Sequence, residues 1–379
     1  MLIGLCGGIC AGKSSIASYL VDEHAFARLR LARPATTSPA SASTVPPSTA
    51  EPPTDNAALH TFPSVDALLD FVTLRWRDRW VTTDIWDNDA VSSLLRRPFF
   101  LLVSVDAPVT LRWSRYTARC AATATATATT TATATAPLAP PSLADFVLRN
   151  DAHLFAQGTG LSTLIQRAQL RLLNSTDSLP ALRTALRNLN LTDEARLRPS
   201  WDQYFMQLAD LAAHRSNCMK RRVGCCIVRG ARVISTGYNG TPRGMTNCNA
   251  GGCPRCNSAT QGGVGLSTCL CLHAEENALL EAGRDRIGEN AVLYCNTCPC
   301  LTCSVKITQV GISEVVYNQG YLVDDQTARI FKESGVRLRQ FTPPTDGLVD
   351  LSVGIAQGES EVVDDIRNVL GDEDFLRPL

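Results

Sequence analysis

The sequence predicts an α/β protein in two parts with a tail. Residues 1–195 read as a parallel α/β domain. Residues 198–342 read as an α/β/α sandwich on a five-stranded mixed sheet, and residues 343–379 as an acidic, less patterned C-terminal tail. Three observations carry this reading. The 379-residue length suggests at least two domains. The chain opens on an apolar strand, a glycine-rich loop and a helix. From residue 198 onward the apolar patterning runs helix, two strands, helix, strand, helix, strand, helix, strand.

The first part begins with MLIGLC, a strand candidate, then Gly7-Gly8-Ile9-Cys10-Ala11-Gly12-Lys13-Ser14, then a helical SIASYLVDEHAF. This matches G-x-x-x-x-G-K-[ST] in the strand–loop–helix context a phosphate-binding loop requires. In such a loop the backbone from Gly7 to Gly12 cradles phosphates, Lys13 reaches the outer ones and Ser14 binds magnesium. Residues 32–57 are rich in Pro, Ser, Thr and Ala and are expected to be disordered. LHTFPSVDALLDFVTLRW reads as a helix, RWVTTDIW and FFLLVSVDAP as buried strands, and VTLRWSRYTARC as a helix. The alternating Ala-Thr tract at 121–141, part of an insertion from about residue 118, supplies little to bury and is expected to be disordered.

The second part opens on RPSWDQYFMQLADLAAHRSN, a helix with an expected apolar face at Tyr204, Phe205, Leu208, Leu211 and Ala212. VGCCIVRGARVISTGYNG follows as two strands around a turn at Gly230. EVVYNQ, DDQTARIFKESG and VRLRQF supply a strand, a helix and a strand near the end. A short helix is expected at residues 362–370.

The chemistry lies between Cys269 and Cys303. His273-Ala274-Glu275 opens one helix, and Pro299-Cys300-Leu301-Thr302-Cys303 opens the next, with AVLYCN between them. A Cys-x-x-Cys pair at a helix start can aim both sulfurs at one ion, and helix N-termini favour thiolate. His273, Cys300 and Cys303 would then hold zinc with one position left for water, which marks a catalytic rather than a closed site. Glu275 would stand beside that position as the proton carrier. A lone Cys-x-x-Cys would equally fit a structural zinc site or reduced core cysteines. The full H-x-E with P-C-x-x-C pattern is the signature of zinc deaminases acting on nucleobases or nucleotides.

Composition narrows the partners. The 36 basic and 36 acidic side chains cancel, and aromatics are 6%. That leaves no electrostatic footprint or stacking platform for nucleic acid. No run is long and apolar enough for a membrane span. The first residues lack the basic and apolar regions of a signal peptide. Twelve of the fifteen cysteines fall between Cys218 and Cys303. Clustered with a histidine in a chain without a secretion signal, they read as metal ligands in a reducing compartment, the cytoplasm or the nucleus.

Two resemblances follow from these residues. WDQYFMQLADLAAHRSNCMKRRVG, STGYNGTPRG, NCNAGGCPRCN, LHAEENALLEAG, YCNTCPCLTCSVKITQVGI and EVVYNQGY, between Ser200 and Gln340, resemble the deoxycytidylate (dCMP) deaminase family in its fungal form. The resemblance implies a cytidine-deaminase-like fold and zinc-dependent conversion of dCMP and water to dUMP and ammonia, which feeds thymidylate synthesis. It maps the zinc ligands onto His273, Cys300 and Cys303 and the proton shuttle onto Glu275. It places Asn239 against the deoxyribose hydroxyl, although Asn-Gly is also a favoured turn. It further implies activation by dCTP, inhibition by dTTP, magnesium with the effectors, and a homo-oligomer such as a hexamer. Candidates for the substrate phosphate are Arg215, Ser216 and Tyr321, with Lys220, Arg221 and Arg222 as alternatives. Some members carry a second, structural zinc. Here Cys218, Cys248, Cys253 and Cys256 would close such a site, with Cys269 or Cys271 able to replace one or two of them. Cys225, Cys226 and Cys295 read as buried strand residues.

Residues 1–190 resemble small P-loop kinases of the dephospho-coenzyme A kinase kind. The acidic residue those kinases carry after the first helix is missing from ARLRLARP, which argues against active kinase chemistry. Two other functions stay open beside dCMP deamination: a nucleic-acid or nucleoside cytidine or adenosine deaminase of the same fold, and an ATP-binding P-loop regulator with an ancillary deaminase.

Overall fold

Leu2–Gly7 (β1) is a six-residue strand buried along its whole length, as a central strand of a parallel sheet covered on both faces must be. The computed structural model describes residues 1–32, 60–128, 142–258, 264–320, 325–342 and 347–352, without the side chains of 123–128, 266 and 325. The chain divides into two compact units, Met1–Leu197 with the C-terminal residues, and Arg198–Pro344.

In the first unit β1 leads into α1 (Lys13–His24), β2 (Ala27–Leu31), β3 (His60–Phe62), α2 (Val65–Leu74), β4 (Trp80–Thr82) and α3 (Asn88–Leu95). Then come β5 (Phe100–Asp106), α4 (Val109–Ala128), α5 (Leu143–Phe155), α6 (Ser162–Gln166), β6 (Leu170–Leu173) and α7 (Leu179–Leu189). The sheet order is β6-β5-β1-β4-β2-β3, with the strand Gly347–Asp350 added parallel on the β6 edge. Helices on both faces bury Ile16, Leu20, Val103 and Leu186 on one side, and Leu69, Val91, Phe100 and Leu164 on the other.

Three sequence expectations change here. His60–Phe62 pairs with β2 as a strand instead of beginning a helix. The helix starts after Pro63, where Ser64 Oγ accepts the Ala67 amide at 3.2 Å. The Ala-Thr tract continues α4 through Ala128, because alanine pays almost nothing to stay helical. Part of the expected tail is a structural strand of the first unit. Residues 33–57, 129–141, 362–370 and Tyr321 lie outside the described residues.

The second unit runs α8 (Trp201–Ala213), β7 (Gly224–Arg229), β8 (Arg232–Tyr238), α9 (Pro254–Asn257), α10 (Ala274–Ala282), α11 (Arg284–Ile287) and β9 (Val292–Thr297). It continues with α12 (Leu301–Gln309), β10 (Glu314–Gln319), α13 (Asp325–Glu333) and β11 (Arg337–Gln340), before β12 (Gly347–Asp350) returns to the first sheet. The strand order is β11-β10-β9-β7-β8. β7 pairs antiparallel with β8 and β9, while β9, β10 and β11 run parallel, so the five-stranded mixed sheet is as expected. Cys225, Cys226 and Cys295 are fully buried in its strands.

The packed face of α8 is rotated from the expected one. Phe205, Met206, Ala209 and Ala213 are buried, whereas Tyr204 and Leu211 are exposed. The reason is close approach: a Cβ on Gly224 would meet Ala209 O at 2.0 Å. The small side chains of α8 must therefore face β7, and Phe205 follows them onto Cys226, Tyr294 and Val316.

Candidate active site and thiol cluster

Both halves of the catalytic motif sit at helix N-termini. His273 caps α10 in extended backbone, and its amide donates to Glu276 Oε2 at 2.9 Å. Glu276 is fixed in turn by Lys306. Cys300 caps α12, and its carbonyl accepts from Ser304 N and Ser304 Oγ, both at 2.9 Å. The caps bring the two helix starts together. His273 Nδ1 lies 3.4 Å from Cys300 Sγ and 3.3 Å from Cys303 Sγ.

These three donors are soft or borderline, converge on one point and come from rigid helix starts, so the residues fit a zinc ion. Their acidity without metal shows the same convergence. Bonds from Cys303, His273 and Thr302 pull the Cys300 thiol down to about 3. The sulfur of Cys300 pushes His273 up to about 9, and Cys303 is pushed up by sharing with Cys300. Metal binding would displace the protons that these groups carry.

Glu275 is buried, 4% exposed, and burial pushes its carboxyl up to about 7. It can therefore hold or release a proton near neutral pH, which is what a proton carrier needs. Its helix lies directly on β8, because Gly237 has no side chain: a Cβ there would meet Ala274 O at 2.2 Å.

Asn239 is buried at the end of β8. Its Oδ1 accepts from Ser216 Oγ at 2.7 Å and Val223 N at 2.8 Å, and its Nδ2 donates to Arg221 O at 2.8 Å. The structure therefore brings Asn239 and Ser216 together and occupies most of the amide with loop contacts. Arg215 is exposed at the end of α8. Sequence reasoning missed Asn277, whose Nδ2 donates to Tyr238 O at 2.9 Å and ties α10 to the end of β8. Its partner is 39 residues away in the chain, so no local pattern marks it.

The remaining cysteines gather differently from the expected set. Cys218, Cys248, Cys256 and Cys271 form one group of four sulfurs, and Cys253, Cys256, Cys269 and Cys271 form another. Cys253 does not join Cys218 and Cys248. Its sulfur accepts from Leu270 N at 3.4 Å, which turns it toward the 269–271 segment.

In the first unit, Gly7 and Gly12 take φ of 131° and 112°, which only glycine adopts freely. Lys13 Nζ donates to Gly7 O at 2.9 Å and Gly8 O at 2.6 Å, and desolvation inside the loop lowers it to about 8. Ser14 is exposed at the start of α1. The strand β2 carries no acidic residue, but Asp84 follows β4, the strand that pairs β1, and accepts from Leu31 N at 3.0 Å.

Residues 199–319 match the family described as the cytidine and deoxycytidylate deaminase zinc-binding region. The chain is 47% identical over 347 residues to a deoxycytidylate deaminase of Schizosaccharomyces pombe, covering 91% of this chain and 99% of that one. It is 50% identical over 264 residues to a deoxycytidylate deaminase of Saccharomyces cerevisiae, covering 66% and 78%. Among solved structures, a dCMP deaminase from the cyanophage S-TIM5 in complex with dCMP and dUMP is 27% identical, covering 38% of this chain and 98% of that one at a TM-score of 0.30. With almost the whole length of the fission-yeast relative matched at that identity, and His273, Glu275, Cys300 and Cys303 in place, the chain belongs to the deoxycytidylate deaminase family.

Proposed function

We propose that this chain is a zinc-dependent hydrolase that converts dCMP to dUMP and ammonia. The observation that carries the reading is the buried carboxyl of Glu275, two residues from the ligand His273 and beside the Cys300–Cys303 pair. Bound by His273, Cys300 and Cys303, zinc would supply Lewis acidity that brings a water close to ionisation at neutral pH. Glu275 takes the proton from that water and passes it to the ring nitrogen. It then takes a second proton, from the hydroxyl now on the ring carbon, and delivers it to the amino group, which leaves as ammonia as the carbonyl forms. The relatives' names support the monophosphate as substrate.

Asn239, held by Ser216 and the Val223 amide, orients the sugar, and Arg215 and Ser216 are the candidate donors to the phosphate, with Tyr321, outside the described residues, as a third. Regulation by dCTP and dTTP with magnesium, and a homo-oligomeric assembly such as a hexamer, complete the proposal. Absorbance-monitored deamination of dCMP, CMP, deoxycytidine and a cytidine-containing oligonucleotide tests it, with and without dCTP and dTTP. Conversion of dCMP alone, raised by dCTP, is the expected result; activity on the oligonucleotide alone overturns it.

A second reading belongs to the first unit. The glycine conformations and the Lys13 contacts support a loop that binds a magnesium nucleotide. Calorimetric titration with a non-hydrolysable ATP analogue and magnesium should show binding that Lys13→Ala removes. No heat from the intact protein would reduce the unit to scaffold.

A further inference from the structure

Six cysteines of the second unit form a buried cluster apart from His273, Cys300 and Cys303. Cys248, Cys253, Cys256 and Cys271 are buried, with Cys218 and Cys269 packed against them. They come from four places: the connection after α8, the turn at Cys248, the α9 segment from Cys253, and the segment before α10. All are free thiols. Their S···S separations are 3.8 Å for Cys218–Cys256, 4.0 Å for Cys253–Cys269, 3.6 Å for Cys256–Cys269 and 3.9 Å for Cys256–Cys271. Disulfide sulfurs would be about 2.05 Å apart. Sulfurs at the corners of a tetrahedron around one zinc at about 2.3 Å would be about 3.8 Å apart.

One ion does not account for the cluster. A tetrahedral ion takes four sulfurs, and the six divide into two overlapping sets of four that share Cys256 and Cys271. Filling either set alone strands two cysteines: Cys253 and Cys269, or Cys218 and Cys248. We infer that the cluster is a binuclear zinc site, with Cys256 and Cys271 bridging two ions, Cys218 and Cys248 completing one, and Cys253 and Cys269 completing the other. Two dications and six thiolates leave a net charge of about −2, the same as one ion with four thiolates. Backbone amides partly offset it, with Met219 N donating to Cys248 Sγ at 3.5 Å and Leu270 N to Cys253 Sγ at 3.4 Å. Asn257 Nδ2 adds a contact to Cys248 Sγ at 3.7 Å. The site is closed, so its task is to tie the segments that carry these cysteines together, next to the Gly240–Leu272 bridge just before His273.

The test is the metal content of the intact protein, reconstituted with zinc under reductant and desalted. Three zinc ions per chain are expected, one on the His273 trio and two in the cluster. Two per chain overturns the proposal, as does iron in place of zinc. Cadmium-113 spectra of the same protein give a check that needs no variant. Two all-sulfur resonances that split each other through the shared sulfurs are expected, and a single uncoupled all-sulfur resonance overturns the bridge. Cys253→Ser should lower the zinc count, whereas a single-ion site on Cys218, Cys248, Cys256 and Cys271 would leave it unchanged. These readouts involve no substrate, so they stand or fall apart from the deaminase reading.

Discussion

Cys271 and His273 are two residues apart, yet they serve two different donor groups. The Cys271 sulfur lies 3.9 Å from Cys256 in the six-cysteine cluster, and the His273 imidazole lies 3.3 Å from Cys303. The short segment between them carries the paired Leu272 and opens α10. The segment that carries Cys271 into the cluster therefore also leads directly into the helix that His273 caps.

Removing the Glu275 carboxyl should separate chemistry from assembly. Glu275→Gln keeps the volume, the helix and all three metal donors. Deamination of dCMP should fall by about 10²–10⁴-fold, with zinc content and the unfolding transition unchanged. Activity within a few-fold of the parent would assign the proton transfers to another group.

Chelation should act on the two centres in sequence. Cys300 is half-buried, whereas Cys248 and Cys253 are fully buried. A moderate chelator should abolish activity with the loss of one zinc equivalent, and added zinc should restore it. Simultaneous loss of all the metal would contradict the difference in access.

Gly237→Ala puts a methyl group against the backbone of α10 at 2.2 Å. The strand and helix cannot both stay in place, so the variant should lose about 1–3 kcal/mol of stability. Because α10 carries His273 and Glu275, its turnover should fall as well. Denaturant melts and initial rates measure both, and a fully stable, fully active variant would show that α10 sits further from β8.

Asp202 accepts from Arg339 at 2.7 and 2.9 Å and from Tyr294 Oη at 2.8 Å. The Arg339 guanidinium holds its carboxyl below the ordinary aspartate range. A folded value lower than the unfolded one stabilises the fold above about pH 3.9, and that contribution disappears as pH falls through the folded value. The two side chains are 27% and 35% exposed, so solvent limits the pair to about 1 kcal/mol. Asp202→Asn should be less stable than the parent at neutral pH, and the two should converge as pH falls through the folded value of Asp202. A gap that persists in acid would assign the loss to packing instead.

The convergence of His273, Cys300 and Cys303 was legible because it is built from local rules. H-x-E and P-C-x-x-C each need only a helix start to aim their donors, and the caps at His273 and Cys300 supply it. The α8 face was misread because periodicity ranks Tyr204 and Leu211 by apolar character, while the space beside Gly224 selects Ala209 and Ala213. Asn277 looked like an ordinary polar helix residue, since nothing local marks a bond to Tyr238.

By itself the sequence determined the two-part α/β organisation, the mixed five-stranded sheet, the strand–loop–helix opening and the grouping of His273, Cys300 and Cys303. Each follows from residue spacing within one or two elements. Only the tertiary structure decided that Gly347–Asp350 joins the first sheet, that Asn239 is tied to Ser216 and the Val223 amide, and which sulfurs share a site. Those depend on contacts between segments far apart in the chain. Spacing alone could group Cys248, Cys253 and Cys256, but it could not show that the fold turns Cys253 away from Cys218 and brings Cys271 to both sets.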